Sequence, residues 1–157
     1  IKLQQHLVSQ APLAGSYTRD LAISYNNLGM VQSRDARFAA AEDSFRQSIV
    51  LQRRLLSAMP TDARTLSNLG GAYNNLGLLF VSQHRYADAE GAYQQAVRYQ
   101  KQAFESAPAS TRYRELLSNH YANYSKCLTS QRKQAAADRI AAERSSLLAS
   151  QHRNTTD

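Results

Sequence analysis

Tyr73-Asn74-Asn75-Leu76-Gly77 occurs twice in this chain, because Tyr25-Asn26-Asn27-Leu28-Gly29 precedes it by 48 residues. After the same interval Tyr121-Ala122-Asn123 forms a third, partial copy. Prolines and leucines keep this interval as well, at Pro12, Pro60 and Pro108 and at Leu21, Leu69 and Leu117. A fixed period of this length indicates a solenoid of repeats, so function has to be sought on a repeated surface.

Each repeat is predicted to be a hairpin of two helices. Between residues 62 and 83, apolar side chains recur every three or four positions, at Leu66, Leu69, Tyr73, Leu76 and Phe80. A second stripe runs between residues 86 and 106, at Ala89, Tyr93, Ala96 and Val97. The breaks at 59–62 and 107–110 combine a proline with an Asp, Thr or Ser that can cap the next helix.

Small residues at equivalent positions predict where the helices of a hairpin approach each other. Gly29 and Gly77 occupy one such position on the first helix. Ala41, Ala89 and Ala137 occupy another on the second helix, where Phe45 and Tyr93 supply the large rings. We expect the rings to fill the space that the glycines leave.

The pattern Tyr73-x-x-Leu76-Gly77-x-x-Phe80, followed by Ala89, Tyr93 and Ala96, resembles the tetratricopeptide repeat. Residues 22–48 match it nearly as well, whereas residues 118–144 match weakly. With its long period, the chain looks like the repeats of kinesin light chains and like C-terminal regions of bacterial serine/threonine kinases. The resemblance implies a module for protein–protein interaction that is an accessory region of a larger protein, for which a signalling kinase is one candidate.

The fold class that follows is all-α: a right-handed α-solenoid of antiparallel helical hairpins, with about three repeats of 48 residues and a leading half-repeat. The predicted parts are the end of a preceding repeat (1–15), repeat 1 (16–60), repeat 2 (61–108), a degenerate capping repeat (109–151) and a polar tail (152–157). Because Ile1 and Leu3 correspond to Ile49 and Leu51, the chain is interpreted as a fragment of a longer protein. Weak self-association through that end is expected.

The concave face, lined by the first helix of each hairpin, is the predicted binding surface. In tetratricopeptide domains the residue equivalent to Asn27, Asn75 and Asn123 often holds the backbone of an extended peptide, and the resemblance implies that role here. The remaining predicted ligand-binding residues are Asn26 and Asn74 beside them, then Met30, Leu78 and Lys126, then Ser33, Ser82 and Ser130. The alternative is that the amides tie adjacent helices together.

The formal net charge is +7. Residues 112–153 concentrate the excess, with eight basic residues, among them Arg132, Lys133, Arg139 and Arg144, against three acidic ones. This favours an acidic peptide or protein partner. The alternative is a solvated face that keeps the capping repeat soluble, and nucleic acid is a lesser candidate because no nucleic-acid motif accompanies the charge.

Catalysis and cofactor binding are not expected. Histidines are scattered, Cys127 is the only cysteine, and Gly70-Gly71 lacks the Gly-Lys-Ser type continuation of a phosphate loop. No catalytic residue, metal site or cofactor is therefore assigned. No run approaches the roughly 18 to 20 apolar residues of a membrane span, and a cytoplasmic location is expected. Peptide binding is the preferred function; the alternatives are a structural spacer or self-association module, and nucleic-acid binding by the basic C-terminal hairpin.

Overall fold

The computed structural model describes residues 1, 2, 4 and 15–153, and the side chains of these up to residue 149. Six helices follow one another in this range, with no strand among the described residues. They are α1 (Gly15–Arg34), α2 (Phe38–Ala58), α3 (Ala63–Ser82), α4 (Tyr86–Ser106), α5 (Thr111–Ser130) and α6 (Gln134–Arg153). None of the described helices combines the length and the apolar character needed to cross a bilayer.

The helices pack as three successive hairpins, α1 with α2, α3 with α4 and α5 with α6. Each hairpin also contacts the next, through α2 with α3 and α4 with α5. The first helices lie beside one another, since α3 contacts both α1 and α5. The predicted all-α solenoid of helical hairpins is confirmed.

Two of the predicted helix caps form as expected. The Asp62 carboxylate accepts a hydrogen bond from the Thr65 backbone N–H, and the Ser110 hydroxyl accepts one from that of Tyr113. Each side chain satisfies a backbone donor that the first turn leaves without an intrahelical partner. The proline joints therefore separate hairpins, with α3 and α5 beginning directly after their caps.

The turn inside each hairpin uses a left-handed residue. Ala36, His84 and Arg132 have φ of 57°, 58° and 58°, and they stand at the same 48-residue interval. Left-handed backbone favours glycine, yet none of the three is one. These residue types do not indicate a left-handed backbone. Only their 48-residue spacing shows that the three positions are equivalent.

The core of a hairpin depends on a glycine facing an aromatic ring. A Cβ built on Gly77 would lie 2.7 Å from Cε1 of Tyr93, and one built on Gly29 would lie 2.7 Å from the ring of Phe45. Both rings are fully buried, as are the second-helix alanines Ala41, Ala89 and Ala137. The predicted close approach at the two glycines is therefore present in the structure.

The two ends of the solenoid are predicted to be a leading half-repeat and a capping repeat with a polar tail. Among the described residues of α6 only Ala137 is buried, an arrangement compatible with the predicted capping repeat. The leading half-repeat lies almost wholly outside the described residues, since Leu3, Leu7 and Val8 are not among them. The polar tail from residue 154 onward is outside them too. The repeat boundaries and the weak self-association stay predictions.

Candidate functional site

A groove of about 460 Å³ crosses the first helices of all three hairpins. Its lining comes from α1, α3 and α5, with one side chain from α2. The lining residues are Ile23, Asn26, Asn27, Gln52, Arg64, Ser67, Asn68, Gly71, Arg112, Tyr113 and Leu116. Because consecutive first helices lie beside one another, residues far apart in sequence line one surface.

The groove is electropositive. Arg64 and Arg112 stand 48 residues apart, both exposed, in the first turns of α3 and α5. Neither forms an ion pair with a described residue, and no acidic side chain is among the described residues that line the groove. A cation at a helix N-terminus is repelled by the helix dipole, so these arginines do not stabilise their own helices. They add to the positive potential of two helix ends.

Gln52 brings a buried hydrogen-bonding group to the groove without a partner. Its Nε2 donates to the Ser48 hydroxyl at 2.9 Å, while its Oε1 is buried and accepts no hydrogen bond from a described residue. Rotating the amide by half a turn exchanges the two atoms and still leaves one unsatisfied. The equivalent Gln100 uses both ends, since Ser67 donates to it at 3.0 Å and it donates to the Tyr113 carbonyl at 3.0 Å. The free end of Gln52 is thus specific to the first hairpin.

The predicted asparagines join neighbouring hairpins to one another. Asn75 Nδ2 donates to Asn26 Oδ1 at 3.1 Å, and Asn123 Nδ2 donates to Asn74 Oδ1 at 3.0 Å. These pairs span 49 residues, one more than the repeat. Asn27 is exposed on the groove and makes no hydrogen bond to a described residue. The geometry thus favours a tying role for four of the amides and leaves Asn27 available.

Asn123 and three other predicted residues meet in a smaller hollow of about 120 Å³. These are Leu78, Asn123, Lys126 and Ser130. Lys126 and Leu78 are exposed there, so the hollow combines an apolar surface with one cation. It lies apart from the larger groove, because the two linings share no residue.

The predicted residues Met30, Ser33 and Ser82 lie outside both linings. Met30 is exposed on α1. The Ser82 hydroxyl donates to the Leu79 carbonyl and the Ser130 hydroxyl to that of Lys126, so both satisfy their own helix. Ser33 is one position out of register with these two serines, since residue 34 corresponds to residue 82.

Arg64, Asn68 and Gln52 were not singled out from the sequence, and Arg112 was counted only among the basic residues of the C-terminal region. The arginines could have been found from the 48-residue interval between them, but the equivalent position in the first repeat is Ser16, so the pattern is incomplete. The sequence did not mark Gln52 as a site residue, because the equivalent position, Gln100, is also a glutamine and has both ends of its amide hydrogen-bonded.

The buried titratable groups of α5 do not form a reactive site. Burial raises the pKa of the Cys127 thiol, which disfavours the nucleophilic thiolate. His120 is buried, and burial lowers its pKa to about 4. Within the part of the chain that the structure describes, no group of three or more His, Cys, Asp or Glu could hold a metal ion.

The basic C-terminal hairpin is partly engaged in contacts of its own. Lys133 Nζ lies 2.6 Å from Glu90 Oε2, and Arg144 Nε donates to the Ser118 hydroxyl at 2.9 Å. Arg132 and Arg139 are exposed. Lys133 and Arg144 of this hairpin therefore already have partners, whereas Arg64 and Arg112 of the groove form no ion pair with a described residue.

Comparison with known families identifies the repeat. A model of the tetratricopeptide repeat matches residues 21–60 and 69–107, about half of the chain. The protein belongs to the tetratricopeptide repeat family. The two matches coincide with the first and second hairpins, so the predicted resemblance is confirmed. Tetratricopeptide repeats generally mediate protein–protein interaction, and that coarse role applies to this chain.

A solved structure is similar over nearly the whole chain. It is the crystal structure of BtubC (BKLC) from P. vanneervenii, with a TM-score of 0.70 and 16% sequence identity. The match covers 96% of this chain and 55% of that one, so this tetratricopeptide chain spans about half the length of BtubC. At this identity the likeness shows the fold alone. No curated protein matches the sequence.

Proposed function

We propose that this tetratricopeptide protein binds an extended, acidic peptide segment in the groove across α1, α3 and α5. The observation that carries the proposal is the pair Arg64 and Arg112, exposed on one surface with no described acid among its lining. Two cations without a partner leave a site for carboxylates. A carboxylate binds the planar guanidinium through two parallel hydrogen bonds, which gives orientation as well as attraction.

The amides of the groove support an extended backbone as ligand. Asn27 and Asn68 each offer two donors and an acceptor, and the orphaned end of Gln52 is one more hydrogen-bonding group. A peptide backbone presents donors and acceptors at regular intervals along an extended strand, so it can pair with such a row whatever its side chains. Satisfying the buried Gln52 oxygen would remove an unfavourable feature of the unbound protein.

A structural spacer or self-association module is the second candidate. The observation that favours it is the pairing of Asn75 with Asn26 and of Asn123 with Asn74, which closes most of the amide row from within. The nucleic-acid alternative has no comparable support, because Lys133 and Arg144 already have partners. The place of the chain in a larger protein, with a signalling kinase as one candidate, stays a prediction from the sequence resemblance.

The charge of the groove can be tested by selecting ligands without assuming one. Peptides selected from a random library on the immobilised protein are expected to be enriched in Asp and Glu. Arg64→Glu and Arg112→Glu should each weaken the binding of a selected peptide by about tenfold, because each turns attraction into repulsion. The loss should shrink as salt is raised. Titration calorimetry at two ionic strengths measures both effects.

Arg139→Glu is the matched control, because Arg139 is exposed on α6 and lies outside the groove. It changes the net charge equally and should leave the affinity nearly unchanged. A library that yields no acidic preference would contradict the proposal. Equal losses from Arg139→Glu and Arg64→Glu would place the interaction on the basic C-terminal hairpin instead.

The two roles of the asparagines can be separated by single substitutions. Asn75→Ala removes the donor to Asn26 and is expected to lower the free energy of unfolding by about 1 kcal/mol. Asn27→Ala removes no hydrogen bond to a described residue, so we expect unchanged melting and an affinity weakened by roughly fivefold or more. Urea unfolding and titration of a selected peptide give the two readouts. Should Asn27→Ala bind as the wild type does, the predicted ligand role of this asparagine is wrong.

A further inference from the structure

The same ion pair joins each hairpin to the one before it. Arg85 Nη1 lies 2.7 Å from Glu42 Oε2, and Lys133 Nζ lies 2.6 Å from Glu90 Oε2. Arg85 and Lys133 are equivalent in the repeat, and so are Glu42 and Glu90. At both junctions the turn of the later hairpin therefore supplies a cation to the start of the second helix of the earlier one.

Two further contacts accompany the ion pair at each junction. Leu79 and Cys127 occupy one repeat position and are only 1% and 3% exposed. Cys127 Sγ lies 3.8 Å from the Tyr86 carbonyl, at the start of the preceding second helix. The third contact is the amide pair, made by Asn75 with Asn26 and by Asn123 with Asn74. Both junctions thus share an ion pair, a buried apolar residue and an amide pair.

The first hairpin carries the same three groups, without such partners among the described residues. Val31 corresponds to Leu79 and Cys127, yet it is 50% exposed. Arg37 corresponds to Arg85 and Lys133; it is exposed and forms no ion pair with a described residue. Asn27 corresponds to Asn75 and Asn123 and is exposed as well. We call Asn27, Val31 and Arg37 the α1 docking face.

We propose that the α1 docking face binds a further tetratricopeptide hairpin, stacked on α1 as the first hairpin is stacked on α3. The second helix of that hairpin would bring a carboxylate to Arg37, and its first helix an amide acceptor to Asn27. Where such a hairpin is stacked, Asn27 belongs to the junction, and the peptide groove keeps Arg64, Asn68 and Arg112. Continuity with the two existing junctions carries this proposal. The α1 docking face has the same repeat positions, with similar residue types, as the surfaces that bind a hairpin at those junctions. An exposed valine between an amide and a cation would then be covered as Leu79 and Cys127 are.

A second copy of this chain fits the face less well. Its last hairpin would have to present α5 and α6, where Ala122 stands in place of Asn26 and Asn74 and gives no amide acceptor. Ala141 stands in place of Phe45 and Tyr93, which removes the ring of the second helix. Only Asp138, in the place of Glu42 and Glu90, keeps the chemistry of the junction.

The test adds such a hairpin to the chain. Residues 63–110 are copied directly ahead of Gly15, in place of residues 1–14, so that the copied Ser110 precedes Gly15 as Ser110 precedes the equivalent Thr111. The copied Glu90 then faces Arg37 and the copied Asn74 faces Asn27. We expect amide hydrogen exchange in the second half of α1 to slow by about tenfold or more, and the thermal midpoint to rise by about 5 °C.

Arg37→Ala made in both chains shows whether the junction itself forms. It should lower the midpoint by about 2 °C in the extended chain and leave the 157-residue chain unchanged, because Arg37 is exposed there. Equal effects in both chains, or α1 exchange that does not slow, would overturn the proposal. If the extended chain fails to fold, a loss of stability from Arg37→Ala in the 157-residue chain would overturn it independently. Concentration-dependent association of that chain, abolished by Asp138→Lys, would assign the face to a second copy instead.

Discussion

Replacing Gly77 by leucine is expected to lower the free energy of unfolding by about 2 to 3 kcal/mol. Even the first added carbon would lie 2.7 Å from the ring of Tyr93, closer than real Cβ contacts come. Tyr93 is 1% exposed and belongs to the buried core, so moving its ring would disturb the side chains packed around it. The better helix propensity of leucine offsets less than about 1 kcal/mol of this strain.

Gly91→Leu is the matched control for Gly77→Leu. Gly91 lies in α4, is exposed, and has nothing within 4 Å of the position that a Cβ would take. The same substitution there should raise stability slightly, by up to about 1 kcal/mol, because glycine is a poor helix former. Urea unfolding of both variants measures the difference. If Gly77→Leu unfolds at the wild-type midpoint, the hairpin does not depend on the close approach at Gly77.

The fold could be predicted because the same residue types recur at the same positions of successive repeats. Apolar spacing located α3 and α4, the prolines with Asp62 and Ser110 located the joints, and Gly77 opposite Tyr93 located the close approach. These are local signals, and each is repeated at 48 residues. Because the copies agree, these signals identify the fold from a single sequence.

The candidate site was less predictable, because it depends on how hairpins stack. The amide pairs join residues 49 apart, so equal positions in the repeat do not face each other; Asn75 faces the residue before Asn27. Whether a glutamine oxygen is hydrogen-bonded depends on the side chains around it. The oxygen of Gln52 has no donor among the described residues, whereas that of Gln100 accepts from Ser67. The left-handed turns, such as that at His84, lacked the glycine that would have marked them.

The stability of the protein is expected to fall as the pH falls from about 6.5 to about 4, by about 3 kcal/mol in total. The cause is His120, which is 3% exposed with neither ring nitrogen hydrogen-bonded. Burial lowers its pKa from 6.5 to about 4. Between these values the unfolded chain binds the proton and the folded chain does not, so protons favour unfolding throughout the window.

His120→Leu separates this effect from that of the carboxylates. The equivalent residue of the second repeat, Ala72, is buried and apolar, so the position accepts an apolar side chain. Leucine is close to imidazole in size, and it removes two unsatisfied nitrogens. Urea midpoints of the variant should be nearly constant from about pH 6.5 to about pH 4.5, while those of the wild type decline.

His84→Asn is the control for His120→Leu, because that histidine is exposed and asparagine tolerates its left-handed backbone. Its pH profile should follow that of the wild type. The Lys133 hydrogen bond that lowers the pKa of Glu90 adds a further loss only below about pH 4.5, which both variants should share. A wild-type midpoint that stays flat above about pH 4.5 would mean that the buried imidazole gains its proton without unfolding, through a partner or water that reaches it inside α5.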